Sequence, residues 1–375
     1  MDDYLGKDTK KLGFGMMRLP KNGEEFDLPQ ICDMVDAFLD AGFTYFDTAF
    51  VYSGSEEVTR KALVERHPRE SYTLATKLAA WNKCETREDA VAQFTTSLER
   101  TGAGYFDYYL LHNLGEQRTQ MYEDFGIWDF VKEEKAEGLI RHMGFSFHST
   151  AEELEAILQA HPEAEFVQLQ INYADWESPR IQSRACYEVC RKYHKPVVIM
   201  EPVKGGLLAN PPQLVADIFK AADPESSCAS WAVRFAADLP GLITVLSGMS
   251  TLAQVQDNVS FMKTFEGLSP AQKETLDKAR EAMAAIPIIP CTTCNYCAKV
   301  CPMNVGISGT FNATNTLTVY GSKKNAMDDI GFQVKNRGKA MATECIQCGA
   351  CMDVCPQHLP IPDLLADCVK KLELE

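Results

Sequence analysis

The chain has 375 residues, 46% of them hydrophobic, enough for one large barrel of ~250 residues and a small appended unit. Its formal net charge of −15 belongs to the first 285 residues, because residues 286–375 hold eight Lys or Arg against eight Asp or Glu. An acidic surface repels phosphate backbones and anionic lipid, which argues against nucleic acid and membrane surfaces as partners. The opening segment has no basic start followed by an apolar stretch, and no run approaches the ~20 apolar residues of a membrane span, so a cytoplasmic protein is expected.

From about residue 12 to 265, short β-rich runs alternate with amphipathic helical stretches, the pattern of a parallel sheet with helical crossovers. Strands are predicted near Leu12–Leu19, Thr44–Thr48, Tyr72–Leu78, Phe106–His112, His142–Phe147, Phe166–Asn172, Pro196–Pro202 and Leu242–Ser247. Apolar continuity in Val197-Val198-Ile199-Met200 fits strands covered on both faces. Eight such strands favour a closed (β/α)8 TIM barrel of the α/β class over an open sheet. Gly13 and Gly15 lack a third glycine three residues on, and Pro20 follows where a dinucleotide-binding helix would begin, so a Rossmann fingerprint is absent. Ser269-Pro270 opens a further helix bearing Leu276, Ala279 and Met283 on one face. It leads through Ile286-Pro287-Ile288-Ile289-Pro290, where the boundary between a domain of residues 1–285 and one of residues 286–375 is placed.

Fourteen cysteines without an export signal point to reduced thiols and metal binding, not to disulfides. Cys291, Cys294, Cys297 and Cys301-Pro302 recur 54 residues later as Cys345, Cys348, Cys351 and Cys355-Pro356. In such a C-x2-C-x2-C-x3-C-P duplication three thiolates wrap one face of an iron–sulfur cube and the fourth ligates the other cube. Cys291, Cys294, Cys297 and Cys355 are therefore assigned to one [4Fe–4S] cluster, and Cys345, Cys348, Cys351 and Cys301 to a second. Structural zinc prefers paired spacings with a longer gap between pairs, and is the weaker explanation. The region resembles bacterial-type two-cluster ferredoxins, which implies a small α+β ferredoxin-like domain, with an insertion of 43 residues between Cys301 and Cys345 that must form its own hairpin or helix. Cys32, Cys84, Cys186, Cys190, Cys228 and Cys368 follow no ligand pattern and read as small buried hydrophobes.

In the barrel, Asp47 and Tyr52 follow the second predicted strand, Lys77 ends the third and His112 ends the fourth. Singly, Asp47 can cap a strand, Tyr52 anchor a loop, Lys77 snorkel and His112 donate within the core. Together they sit where barrel enzymes place their chemistry. Reduction of a carbonyl needs a proton for the oxygen as hydride reaches the carbon. Tyr52 is the candidate acid, Lys77 the cation that lowers its pKa, Asp47 the partner holding Lys77 charged, and His112 the group orienting the substrate oxygen.

Gly13-Phe14-Gly15, Asp47-Thr48-Ala49 with Tyr52 and Glu56, Ala75-Thr76-Lys77, Leu110-Leu111-His112 and Gly144-Phe145-Ser146 resemble the successive motifs of the aldo/keto reductases over roughly residues 10 to 260. The whole chain resembles the subfamily with a ferredoxin-like tail. The resemblance implies a (β/α)8 barrel, nicotinamide-dependent carbonyl reduction or alcohol oxidation, and the four residues above as a catalytic tetrad. It places Gly15, Met16, Ser146, Gln168, Met200, Pro202 and Asn258 at the nucleotide, Ser146 and Gln168 on the carboxamide and Asn258 near the adenine. Lys204-Gly205-Gly206 and Ser247-Gly248-Met249-Ser250 stand where barrels bind phosphate after the seventh and eighth strands, or are a glycine-rich turn and a serine cap.

Four positions depart from the family pattern: Phe147 replaces an asparagine, Met200 a stacking aromatic, and Gly248 and Gln254 the cations that grip a 2′-phosphate. NAD and NADP both stay open. Hydride carries two electrons and each cluster one, so a flavin in the barrel mouth stays open as the intermediary. Partners expected are a small carbonyl or alcohol substrate and a ferredoxin or flavodoxin. A redox-sensing or electron-transfer module with a non-catalytic barrel is the alternative. Trp128, Trp176 and Arg18 are candidates to line the pocket or to pack, and the loops around 114–128 and 174–184 carry no motif that names a substrate.

Overall fold

The computed structural model describes residues 3–374. The chain divides into two compact units, Met1–Leu208 with Ser226–Leu276, and Ala209–Glu225 with Asp277–Glu375, so the helix Pro270–Ala284 spans the division.

In the first unit eight parallel strands close into a barrel: β1 Gly13–Gly15, β2 Tyr45–Asp47, β3 Thr73–Leu78, β4 Phe106–Leu114, β5 Ile140–Phe147, β6 Phe166–Gln170, β7 Val197–Met200 and β8 Leu242–Ser247. Each pairs with its sequence neighbours, and β1 closes the ring by pairing with both β2 and β8. All eight overlap the predicted runs. β4 and β5 run longer than expected, β4 past His112 to Leu114 and β5 from Ile140. Two layers of apolar side chains result from strand alternation. Tyr45, Ala75, Tyr108, Leu110, Phe166, Val198, Ile243 and Leu246 fill the interior. The opposite faces pack under the helices, with Phe14, Phe38, Phe43 and Phe46 packed in one aromatic group, partly edge-to-face, at centroid separations of 5.3–5.7 Å.

Helices start where the sequence supplies acceptors for their first amides. Thr86, Thr150, Ser227 and Thr251 each accept from the third backbone N–H beyond them, and Thr86 forms a reciprocal box with Asp89. The stretch read as a loop, 114–128, instead holds the helix Gln117–Asp124. Its weak apolar periodicity hides it from the sequence.

The second unit is helical. Its expected α+β content is realised as helices and one isolated parallel bridge, Val305 to Ala340, because the cysteine runs turn too often to extend into strands. Thr293 and Asn295 in the first run, and Gln347 and Gly349 in the second, take the same left-handed backbone at equivalent places. Asn304 and His358, three residues after the last cysteine of each run, do so as well. The duplication is thus one of conformation and not only of spacing. The insertion forms a helical hairpin, Ile307–Tyr320 and Lys323–Arg337. Asn315 on its first helix accepts from the Ile289 amide at 2.8 Å and donates to the Ile289 carbonyl at 2.9 Å, pinning the proline-bounded connector.

Gly144 on β5 tests the barrel's packing. A Cβ there would lie 2.4 Å from the Phe166 carbonyl oxygen and 2.7 Å from its ring. Gly144→Ala is expected to destabilise the protein by about 1–3 kcal/mol, read as a lowered midpoint in urea denaturation.

Candidate active site and cluster sites

Strand alternation carries the interior faces upward into a polar mouth. Tyr45, Ala75, Leu110, Phe166 and Val198 point inward. Two residues further on, Asp47, Lys77, His112, Gln168 and Met200 continue those faces at or near the C-terminal ends of their strands.

Lys77 Nζ donates to Asp47 Oδ1 at 2.5 Å and to the Thr48 carbonyl at 2.7 Å, with 1% of Lys77 and 3% of Asp47 exposed. Tyr52, on the segment leaving β2, has its ring centroid 5.2 Å from Lys77 Nζ. His112 meets the Tyr52 ring edge-to-face at 5.8 Å. Trp81 takes another edge of the imidazole at 5.8 Å, and its indole N–H, with the Tyr122 hydroxyl, donates to the His112 carbonyl. All four predicted residues are therefore brought together.

Burial pulls Asp47 up and Lys77 down, and each charge opposes the shift in the other. Glu56, 1% exposed and bonded by the Thr76 hydroxyl at 2.7 Å, adds to the field that keeps Lys77 charged. Burial and the Lys77 charge hold His112 well below its ordinary value, so the imidazole is neutral. Tyr52 differs from expectation: burial first, then the carboxylates of Asp47 and Glu201, push its phenol upward against the pull of Arg18. The physical reason is that desolvation dominates, and the Asp47 and Glu201 carboxylates add to it against Arg18 alone. Glu201 was not foreseen. It follows β7 with φ +57°, a backbone setting uncommon for glutamate that no sequence pattern announces, and its carboxylate lies 3.3 Å from Arg18.

Around this centre the predicted nucleotide residues fare unequally. Ser146, on β5, accepts from the Asn113 amide at 2.7 Å. Gln168 is 2% exposed, and its Oε1 has no protein donor. Asn258 donates to the Ser247 hydroxyl at 3.3 Å, and its own buried Oδ1 is equally unmatched. Gly15 lies against the β8 end, where an added Cβ would stand 3.4 Å from the Ser247 carbonyl. Gly248 faces Arg18, Gly206 is exposed with φ +94°, and Met200 and Pro202 flank Glu201. Gln254 is turned inward on its own helix start, its Oε1 accepting from the Ser250 amide at 2.7 Å. Met16 is fully buried in the outer core, so its side chain is withheld from the mouth.

Lys204, expected beside a bound phosphate, is held by a carboxylate. Its ammonium sits on both oxygens of Asp175 at 2.7 and 2.6 Å, and Asn172 holds that carboxylate in turn, so the cation expected for phosphate is already paired. Trp128 and Trp176 pack: Trp128 stacks on His161 at 3.9 Å, and Trp176 meets Phe235 edge-on at 5.7 Å. The unmatched acceptors of Gln168 and Asn258 fit a ligand that presents amide and amino N–H groups, as a nicotinamide dinucleotide does.

The cysteines are brought together in two crossed sets. Cys301, Cys345, Cys348 and Cys351 line one open cavity of about 330 Å3, and Cys291, Cys294, Cys297 and Cys355 another of about 340 Å3. Among the described residues no three His, Cys, Asp or Glu side chains converge tightly enough for a single ion. The thiols surround volumes and not points, which fits cubanes whose fourth ligand comes from the opposite run. Burial and the neighbouring thiols push Cys297 up to about 11, so loading with metal must expel protons.

An eight-stranded barrel with a buried Lys–Asp pair beneath a tyrosine, followed by crossed sets of four thiols, defines an oxidoreductase-like architecture with an iron–sulfur tail. The model of the aldo/keto reductase family matches residues 11–281, and that of the 4Fe-4S dicluster domain matches residues 290–359. The chain belongs to the aldo/keto reductase family and carries a 4Fe-4S dicluster domain. Among curated relatives, 9,11-endoperoxide prostaglandin H2 reductase of Trypanosoma cruzi is 26% identical over 52% of this chain and 62% of its own length. Glyoxal reductase of Bacillus subtilis is 28% identical over 49% of this chain and 63% of its own. The chain spans about half the length of the curated relatives it matches. A solved aldo/keto reductase from Klebsiella pneumoniae, in complex with NADP and acetate, superposes with a TM-score of 0.57 at 23% identity, covering 72% of this chain and 91% of that one, and supports the barrel fold. Among the described residues no helix is long and apolar enough to cross a membrane.

Removing one partner of the buried pair leaves an uncompensated charge. Lys77→Met is expected to cost about 3–5 kcal/mol of stability, measured by urea denaturation. The double variant Asp47→Asn/Lys77→Met should recover most of it; a double as unstable as the single would mean that packing, not charge, sets the effect.

Proposed function

We propose that the chain is an oxidoreductase that interconverts a carbonyl and an alcohol with a nicotinamide nucleotide in the barrel of residues 1–285. Two [4Fe–4S] clusters in residues 286–375 exchange single electrons with a partner protein. The observation that carries the barrel reading is the Lys77–Asp47 pair lying beneath Tyr52, with His112 at the edge of the phenol.

Gln168, Ser146 and Asn258 are the residues that would hold the nucleotide, with Gly15 giving close backbone approach; when bound, the nucleotide supplies or accepts the hydride. The rest follows from this chain's own groups. Tyr52 is firmly protonated, so the phenol O–H is available to the substrate oxygen, and it yields its proton only when that oxygen gains charge. Lys77 then stabilises the phenolate, and Asp47 keeps Lys77 in place. His112, neutral, donates an N–H to the same oxygen and fixes its position. Trp81 excludes water from one side of the imidazole. A second reading places a flavin in the same mouth. The one-electron clusters favour it, because a flavin passes electrons singly or as a hydride, and a flavin spectrum released on precipitation selects it.

In the barrel, Tyr52→Phe should lower turnover with a carbonyl substrate by about 10²- to 10⁴-fold while nucleotide binding, read by fluorescence, persists. Because Tyr52 is shifted upward and His112 downward, neither should place a limb in the turnover–pH profile between about 6 and 8, the range that an unshifted histidine would mark. Full turnover in Tyr52→Phe would falsify the reading.

In the cluster region, anaerobically reconstituted protein should hold about eight irons as two cubes. Cys301→Ser should disturb the cube of the second run and Cys355→Ser that of the first, seen as loss of one of two electron paramagnetic resonance signals. Loss confined to the mutated run in both variants would overturn the crossed assignment.

A further inference from the structure

Apolar exposure is concentrated in the cluster-bearing unit. Of ten large hydrophobic side chains exposed among the described residues, nine lie there, and the barrel unit exposes only Met17. Charge is also reversed locally. Residues 282–343 carry Lys299, Lys323, Lys324, Lys335, Arg337 and Lys339 against Asp328 and Asp329 alone, in a chain of net charge −15.

The fold gathers part of each pattern at one edge. Asn304 and Ala340 are tied by the Ala340 N–H to the Asn304 carbonyl at 3.1 Å, and the Asn304 side chain donates to the Gly338 carbonyl at 3.0 Å. Lys339 Nζ donates to the Asn304 amide oxygen at 2.7 Å. The cation is thereby laid beside Cys301-Pro302-Met303. Arg337 lies over the exposed Phe332 ring at 5.3 Å. Met303, 37% exposed, and Ile346, 61% exposed, line the same cavity as Cys301, Cys345 and the exposed Cys348. Among the described residues no carboxylate pairs with Lys335, Arg337 or Lys339.

We propose that this edge, where Met303 and Ile346 line the Cys301 cavity, Lys339 is held beside them through Asn304, and Lys335 and Arg337 stand close to Lys339 along the chain, docks an acidic protein that carries one electron at a time. The inference rests on the reading that the Cys301 set holds a cluster, and it names the partner and the place of contact. The chemistry selects the occupant. Exposed apolar contact supplies affinity, and a cationic rim steers an anionic partner and fixes its orientation. A strongly acidic carrier is repelled by the rest of this chain, so the basic edge is its route of approach. In a symmetric pair a second copy of this chain would meet its own cations here. One electron passes between the carrier and the Cys301 edge in an encounter, with no bond made and no proton moved.

The test uses the full-length, iron-replete protein under anaerobic conditions, with an acidic [2Fe–2S] ferredoxin as the probe and calorimetry as the readout. Binding should weaken with rising salt. Lys335→Glu/Arg337→Glu/Lys339→Glu should weaken it at least tenfold and flatten the salt dependence, with iron content and the resonance signals unchanged. Lys335→Arg/Lys339→Arg should retain binding, as should the control reversal Lys61→Glu/Lys263→Glu on the barrel. Iron-replete protein that fails to bind, binds equally after reversal, or instead self-associates through these residues overturns the docking face alone. Protein that takes up no iron overturns the cluster reading from which the inference starts.

Discussion

Closing eight parallel strands into a ring forces their C-terminal ends to converge, and the buried Lys77–Asp47 pair joins two of those ends. An ammonium and a carboxylate both almost wholly removed from water are held only because each is the other's partner and the Thr48 carbonyl takes a further proton of Lys77. The pair fixes β2 against β3 at their upper ends, so the loop bearing Tyr52 leaves β2 from a rigid position. His112, the next strand over, is oriented by bonds to its carbonyl from Trp81 and Tyr122. A hydrophobic replacement could be as stable, yet it would leave the phenol with no cation beneath it.

Those features were legible because they repeat along the chain. Period-2 alternation in β2, β3, β4, β6 and β7 tells which residues face inward, and adding two to each interior residue arrives at the polar mouth. The cysteine duplication was legible for a similar reason: three-residue spacing fixes a turn geometry that the two runs share down to their left-handed residues, Thr293 with Gln347 and Asn304 with His358. What escaped the sequence depends on residues distant along it. Glu201 acts on Tyr52 through the folded mouth, Asp175 captures Lys204 across 29 residues, and Asn113 reaches Ser146 from the neighbouring strand. None of these has a spacing that a one-dimensional reading can find. The helix Gln117–Asp124 escaped for a different reason, since its residues are mostly polar and leave no apolar stripe.

The captured lysine changes how anion recognition at the mouth must be understood. Lys204 sits on a carboxylate that is itself bonded by Asn172, so releasing it would leave Asp175 buried without the cation that sits on its oxygens. Arg18 is in the opposite situation. It lies beside Gly205 and Gly248 and meets Glu201 at 3.3 Å in a partly exposed pair, which costs little to open. Of the two cations, Arg18 is the one free to turn toward an incoming anion, and its departure from Glu201 would raise the net negative field on Tyr52.

The protonation state of Tyr52 also bears on how the two halves of the chain can cooperate. A phenol held above its ordinary range gives up its proton only to an oxygen that has become strongly basic. A ketone that has gained a single electron is a weaker base than the alkoxide formed by hydride addition, so on the proposed reading Tyr52 is matched to two-electron chemistry. The crossed thiol sets are matched to one-electron chemistry. On the flavin reading electrons pass through a ligand that handles both, and the mouth's unmatched acceptors at Gln168 and Asn258 suit the N–H groups of such a ligand as well as those of a nicotinamide. Tyr52 therefore constrains the cofactor more tightly than the cysteines do, since it responds to the charge that arrives on the substrate and not to the route the electrons took.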